Sequence, residues 1–176
     1  MNATAELRLH IGGEKQKPGW RILNAQAGPG VDYVGDCRDL GQFADESVEE
    51  IYASHVLEHL GYVEELPAAL AEFHRVLKRG CVAKISVPDF EVICRLFLDP
   101  RLSVEHRFHV MRMAFGGQID PFDFHYVGLT YEFLDDYLKR AGFSSVERVA
   151  EFGMFEDGSS VKFGDTPVSL NVIAHK

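Results

Sequence analysis

The chain has 176 residues, 46% hydrophobic and 26% charged, enough to bury one domain's core without disulfides or metals and too apolar to be largely disordered. A formal charge of −9, from 18 basic and 27 acidic residues, leaves no basic field to gather phosphates and sets nucleic acid aside as a substrate. Cys37, Cys81 and Cys94 lack metal-type spacing and fit reduced thiols, while the start MNATAELRLH has no basic and apolar leader pattern and no apolar run approaches the ~20 residues of a membrane helix. The expectation is one cytoplasmic domain over residues 1–176, with no membrane insertion.

The first predicted strand, residues 7–11, is short and apolar and stops at Gly12-Gly13. Residues 14–19, with Pro18-Gly19, leave room for a turn but no crossover helix before the next strand at 20–24. Two parallel neighbours so joined need a compressed loop. A turn at 27–30 leads to a strand at 31–35, and a polar loop leads to another at 49–54.

From 63 to 77 the apolar residues Val63, Leu66, Leu70, Phe73, Val76 and Leu77 recur at helical spacing, with Lys78 and Arg79 in the last turn and Gly80 as the stop. Residues 81–87 read as a central strand, closing a right-handed strand-helix-strand unit. Helices follow at 90–98, 104–115 and 131–140, then strands at 146–152 and 168–174 joined by a long polar connection. This order predicts an α/β fold with three layers, Rossmann-like, its mostly parallel sheet finished by an antiparallel C-terminal hairpin. An edge strand near Val146 or Val168 leaves room for a homo-oligomer.

In such a sheet, ligands bind beyond the carboxyl ends of the strands. Here those ends are His10 to Gly13, Asn24 to Gln26, Asp36-Cys37, Ser54 to Leu57 and Val87 to Phe90. Taken in order, IYASHVLEHL, FHRVLKRG, AKISVPD and MRMAFGGQIDPFDFHYVGLTYEFLDDYLKRAGF resemble the class I S-adenosylmethionine-dependent methyltransferases, in particular their short bacterial branch. The resemblance covers nearly the whole chain. It implies S-adenosylmethionine as cofactor and S-adenosylhomocysteine as product; with nucleic acid disfavoured by the acidity, a small molecule, a glycan precursor or a protein is left as methyl acceptor.

The resemblance also distributes roles. His10, Gly12 and Gly13 would wrap the cofactor's amino-acid tail, since glycine permits close backbone approach; a Gly-Gly pair after a strand is otherwise an ordinary turn. Asn24 and Gln26 stand where the family places a ribose-binding acid, or simply terminate a strand. Asp36 and the Cys37 amide would meet adenine, the alternative being a surface turn. Ser54 and His55 would line the cofactor, His55 facing the transferring methyl, while Glu58 and His59 cap and brace the next turn.

Residues 115–128 would build the acceptor pocket, with Asp123 and His125 as an acid/base pair, or pack as a loop around a buried histidine. Gln118, Asp120 and Tyr126 are secondary candidates. His55, Glu58 and His59 also satisfy the zinc-hydrolase pattern His-x-x-Glu-His, but they follow a strand directly and meet Gly61, which leaves little room for the required helix, so no metal is expected. A dinucleotide oxidoreductase is disfavoured by the lack of G-x-G-x-x-G. A non-catalytic binding module of the same fold is the remaining alternative.

Overall fold

A computed structural model describes residues 6–176; residues 1–5, within the expected domain span, lie outside the described residues. Among the described residues nine strands form in chain order: β1 Leu7–Ile11, β2 Arg21–Asn24, β3 Tyr33–Val34, β4 Val48–Ser54, β5 Leu77–Pro88, β6 Ser145–Val149, β7 Lys162–Phe163, β8 Thr166–Pro167 and β9 Ser169–His175. The helices are α1 Glu65–Val76, α2 Phe90–Phe97, α3 Val104–Phe115 and α4 Tyr131–Arg140, with single 3-10 turns at Leu57–His59 and Gly158–Ser160. The main sheet has the order β3-β2-β1-β4-β5-β9-β6. Its first five strands run parallel, and β9 pairs antiparallel with both β5 and β6. The strand order reverses between β1 and β4, which opens a crevice at their carboxyl ends.

The pleat divides each central strand between two faces. Leu9, Ile11, Leu23, Ile51, Ala53, Ala83, Ile85, Val87, Leu170, Val172 and Ala174 project toward one face and join Leu66, Ala69, Leu70, Phe73 and Val76 of α1 and Leu134 and Leu138 of α4 in one apolar cluster. The α1 residues recur every three or four positions, which places them on one side of the helix. Each such Leu, Val or Phe contributes roughly 1.5–3 kcal/mol by leaving water.

The opposite face is organised differently. The links at residues 12–20, 25–32 and 35–47 contain no helix, so the parallel strands β1, β2, β3 and β4 are joined by loops alone. The compressed first link is what the spacing predicts. Cover comes instead from the chain after β6, whose Phe152 and Phe155 lie on Tyr52, with His10 and Trp20 completing an aromatic layer at centroid separations of 4.3–6.3 Å. The Tyr52 hydroxyl donates to Asp157 (2.8 Å), and Lys17 donates to the Met154 carbonyl (2.5 Å), which ties this segment down.

Several predicted boundaries are corrected, among them the strand read at 146–152, which ends at Val149. The strand read at 31–35 shortens to Tyr33–Val34. The helix read to 77 ends at Val76, and β5 begins at once, because Leu77 turns extended to pair with Val48. Lys78 and Arg79 are therefore strand residues, paired with Glu49 and Glu46, and Gly80 sits at φ +75° beside the register shift rather than capping the helix. The last carbonyls of α1 are satisfied by Lys176, whose Nζ donates to those of His74 (2.6 Å) and Leu77 (2.7 Å).

Candidate functional site

A cleft of about 630 Å³ opens over the carboxyl ends of β1, β2 and β3 and against the turn after β4. At its floor, Gly12 has φ +74° and lies against Val56, so close that a Cβ on Gly12 would come within 2.5 Å of the Val56 methyl. The Gly12 amide donates to the Leu23 carbonyl (2.8 Å), locking the loop after β1 onto β2. Asn24 braces the same loop: its amide nitrogen donates to the Gly13 carbonyl (3.1 Å) and its oxygen accepts from the Gln26 amide (2.9 Å).

On the next wall, Asp36 accepts from the Arg38 backbone (2.8 Å) and guanidinium, which hold its carboxyl below the usual carboxylate range. Arg38 also pairs with Glu65, at the start of α1, so this ion-pair chain spans the rim. Cys37 is buried, and burial pushes its thiol up to about 12, too high for a thiolate near neutral pH.

Beyond β4 the chain turns through His55, a non-glycine residue at φ +55°. Its ring packs on Gly158, where no side chain would fit; Nε2 meets the Ser169 hydroxyl (3.1 Å), and Nδ1 lies 3.2 Å from Glu58. Burial opposes a charge on His55, but Glu58 outweighs it and holds the imidazole above its ordinary value. Glu58 is 1% exposed; burial would raise its pKa, yet the neighbouring histidines keep it below the ordinary value, and neither oxygen has a well-aligned hydrogen-bond donor.

The loop between α3 and α4 closes over this turn. The Tyr126 amide donates to the Glu58 carbonyl (2.8 Å), and His59 Nδ1 meets the Phe124 carbonyl (3.0 Å). His125 Nδ1 meets the Met113 carbonyl (3.1 Å), and burial holds this imidazole below its ordinary value. The His59 and His125 rings stand edge to face, 4.9 Å between centroids, beside Glu58. Phe122 and Tyr126 form the outer lip of the cleft.

Comparison with known proteins bears on this arrangement. Residues 15–84 match the family described as Methyltransferase domain. A SAM-dependent methyltransferase from Archaeoglobus fulgidus superposes over 98% of this chain and 87% of its own, with a TM-score of 0.62 at 17% identity. The chain shares the fold of these SAM-dependent methyltransferases. A second methyltransferase structure, from Thermotoga maritima, covers 96% of this chain and 81% of its own (TM-score 0.55, 17% identity). PigF, solved with SAH, covers all of this chain and 58% of its own (TM-score 0.56, 15% identity). No curated protein matches the sequence.

Within this fold, Gly12, Asn24, Gln26, Asp36, Cys37 and His55 all line the one cleft. His10 does not: strand alternation turns its ring to the opposite face, against Tyr52 and Phe155, and Gly13 packs on that ring. Ser54 shares the Tyr52 face and is likewise outside the cleft. Asp123 and His125 do not form a pair, because Asp123 accepts from the Ile119 amide (3.3 Å) within its own turn while His125 reaches back to α3.

Residues not anticipated are Glu14, Arg38, Glu65 and His59, all on the cleft wall. Glu14 and Arg38 lie directly after two predicted strand-end motifs, a signal that was available. Glu65 belongs to a helix whose start was placed too early. Among the described residues no helix is long and apolar enough to cross a membrane.

Proposed function

We propose that the chain transfers a methyl group from S-adenosylmethionine to an acceptor, releasing S-adenosylhomocysteine. The observation that carries this reading is the cleft at the strand-order reversal, its floor kept open by Gly12 and its wall carrying the Asp36-Cys37 strand end, in a fold shared with methyltransferases. Its volume of about 630 Å³ falls within the roughly 300–1,000 Å³ of small-molecule sites.

Bound there, the cofactor supplies a methyl group on a positively charged sulfur. Gly12 leaves space for the amino-acid tail, Gln26 and the remaining acceptor capacity of Asn24 face the ribose, and Asp36, kept ionised by Arg38, takes the adenine amino group. His55, fixed by Ser169 and Glu58, stands at the reacting end. Methyl transfer requires the acceptor in line with the departing sulfur, so orientation supplies much of the acceleration and no protein nucleophile is needed.

Phe122 and Tyr126, each more than half exposed at the lip, suit an acceptor with an apolar or aromatic part. Such an acceptor is a small molecule, a glycan precursor or a protein side chain; the acidity of the chain argues against nucleic acid, and the reading is of a cytoplasmic enzyme. The non-catalytic alternative draws on one observation, the neutral Asn24 whose amide is already engaged on Gly13 and Gln26.

Calorimetric titration with S-adenosylmethionine and S-adenosylhomocysteine decides between them. Saturable one-site binding is expected, abolished by Gly12→Val and weakened by Asp36→Ala in proteins that remain folded. A folded wild type that binds neither compound overturns the enzyme reading.

A further inference from the structure

The turn after β4 holds a group of side chains that methyl transfer by orientation alone does not explain. Glu58 is buried, with both carboxylate oxygens unpartnered by any hydrogen bond in the protein. Its nearest charged neighbour is His55 Nδ1, 3.2 Å from one oxygen, and the carboxylate also lies beside His59 and His125. A buried carboxylate without an aligned donor is costly, and His55, at one oxygen, leaves capacity for a further cation to complete it.

The two histidines are prepared in a matching way. A backbone carbonyl only accepts hydrogen bonds, so the contacts of His59 Nδ1 with the Phe124 carbonyl (3.0 Å) and of His125 Nδ1 with the Met113 carbonyl (3.1 Å) place the ring proton on Nδ1 in both. Nε2 is then the unprotonated nitrogen in each ring. Fixing the tautomer and ring plane through the far nitrogen is how proteins orient metal-binding imidazoles. One donor atom from each of Glu58, His59 and His125 lies within 4.8 Å of the others.

We propose that Glu58, through a carboxylate oxygen, and His59 and His125, through Nε2, bind one divalent transition-metal ion at the edge of the cleft. Bonds of about 2.0–2.2 Å to an ion draw the three donors together by roughly 1 Å, a shift within reach of side-chain adjustment on the loop that carries His125. Two imidazoles and one carboxylate suit zinc, iron(II), manganese(II) or cobalt(II) and disfavour calcium and magnesium, which take oxygen ligands.

Three protein ligands leave coordination positions open, and His59 is itself on the cleft wall with His55 and Tyr126. An ion there would hold an oxygen-bearing acceptor and make its hydroxyl more acidic. That role rests on the methyltransferase reading; the ion site does not. His55 is a positioning residue here, with its two nitrogens directed to Glu58 and Ser169. The third ligand comes from the loop before α4, so this trio differs from the His-x-x-Glu-His pattern visible in the sequence and from the expectation of no metal.

The test is titration of tag-free, chelator-stripped protein with cobalt(II) and zinc(II), following heat and the visible absorption of cobalt. One ion per chain is expected, with affinity reduced at least about tenfold in His125→Ala, His59→Ala and Glu58→Gln, each checked for folding by circular dichroism. A folded wild type without stoichiometric binding of either ion overturns the proposal, as does unchanged affinity in a folded His125→Ala. S-adenosylmethionine is titrated into the same stripped protein. Ion binding without cofactor binding removes the methyltransferase reading and supports the metal site; cofactor binding without ion binding removes the metal site alone.

Discussion

The two faces of the sheet are closed by different materials. On one, α1 and α4 lay fully buried leucines, valines and phenylalanines against alternate residues of five strands, in the manner of any α/β protein. On the other, where the loops joining β1, β2, β3 and β4 bring no helices, a single returning segment carries Phe152 and Phe155 onto Tyr52, His10 and Trp20, with Asp157 hydrogen-bonded to the tyrosine. The comparison teaches that a parallel sheet can lose crossover helices if later chain returns to cover the bared face. The cover is thinner and mixes polar groups with aromatic ones.

Truncation of one phenylalanine on each face, the buried Phe73 and the half-buried Phe155, should show the largest difference. Phe73→Ala, on the helical face, is expected to lower unfolding free energy by about 3–5 kcal/mol, whereas Phe155→Ala, half-buried on the loop face, should cost about 1–2 kcal/mol; urea unfolding measures both. Equal losses would mean that the returning segment is as tightly packed as the helices.

The loop face should also carry the stronger acid sensitivity. Burial holds His10 down at about 4, with Asp157 opposing, against an ordinary value near 6.5. Above pH 6.5 both folded and unfolded chains carry a neutral imidazole, and the stability is fully present. As pH falls toward 4, only the unfolded chain takes up the proton, so His10 alone should remove about 2 kcal/mol between pH 7.5 and pH 5. His10→Phe should flatten that part of the pH profile of Tm; a profile that keeps the wild-type slope would place the acid sensitivity elsewhere.

Much of this was legible locally. The bounds of β1, α3 and α4 follow from apolar periodicity, and the structure adds Ser103 and Thr130 as helix caps whose side chains accept from the amides of His106 (3.2 Å) and Phe133 (3.3 Å). The end of α1 was not legible, because Leu77 is a good helix former that a partner strand pulls into β5. The cleft residues were found where a strand-end motif names them, as with Gly12 and Asp36. His10 was misplaced because motif order says nothing about which face a strand residue takes. The grouping of Glu58 and His59 with His125 depends on a loop folding back across the turn, and Glu58 and His59 read in the sequence as bracing alone.

The central claim, that the cleft on β1, β2 and β3 is the cofactor site, is tested most directly by hydrogen exchange with and without S-adenosylhomocysteine. The account predicts slowed exchange in residues 11–14, 24–26, 35–38 and 55–61, with residues 152–157 on the opposite face unchanged. Slowing confined to residues 152–157, or none anywhere at saturating ligand, would contradict it.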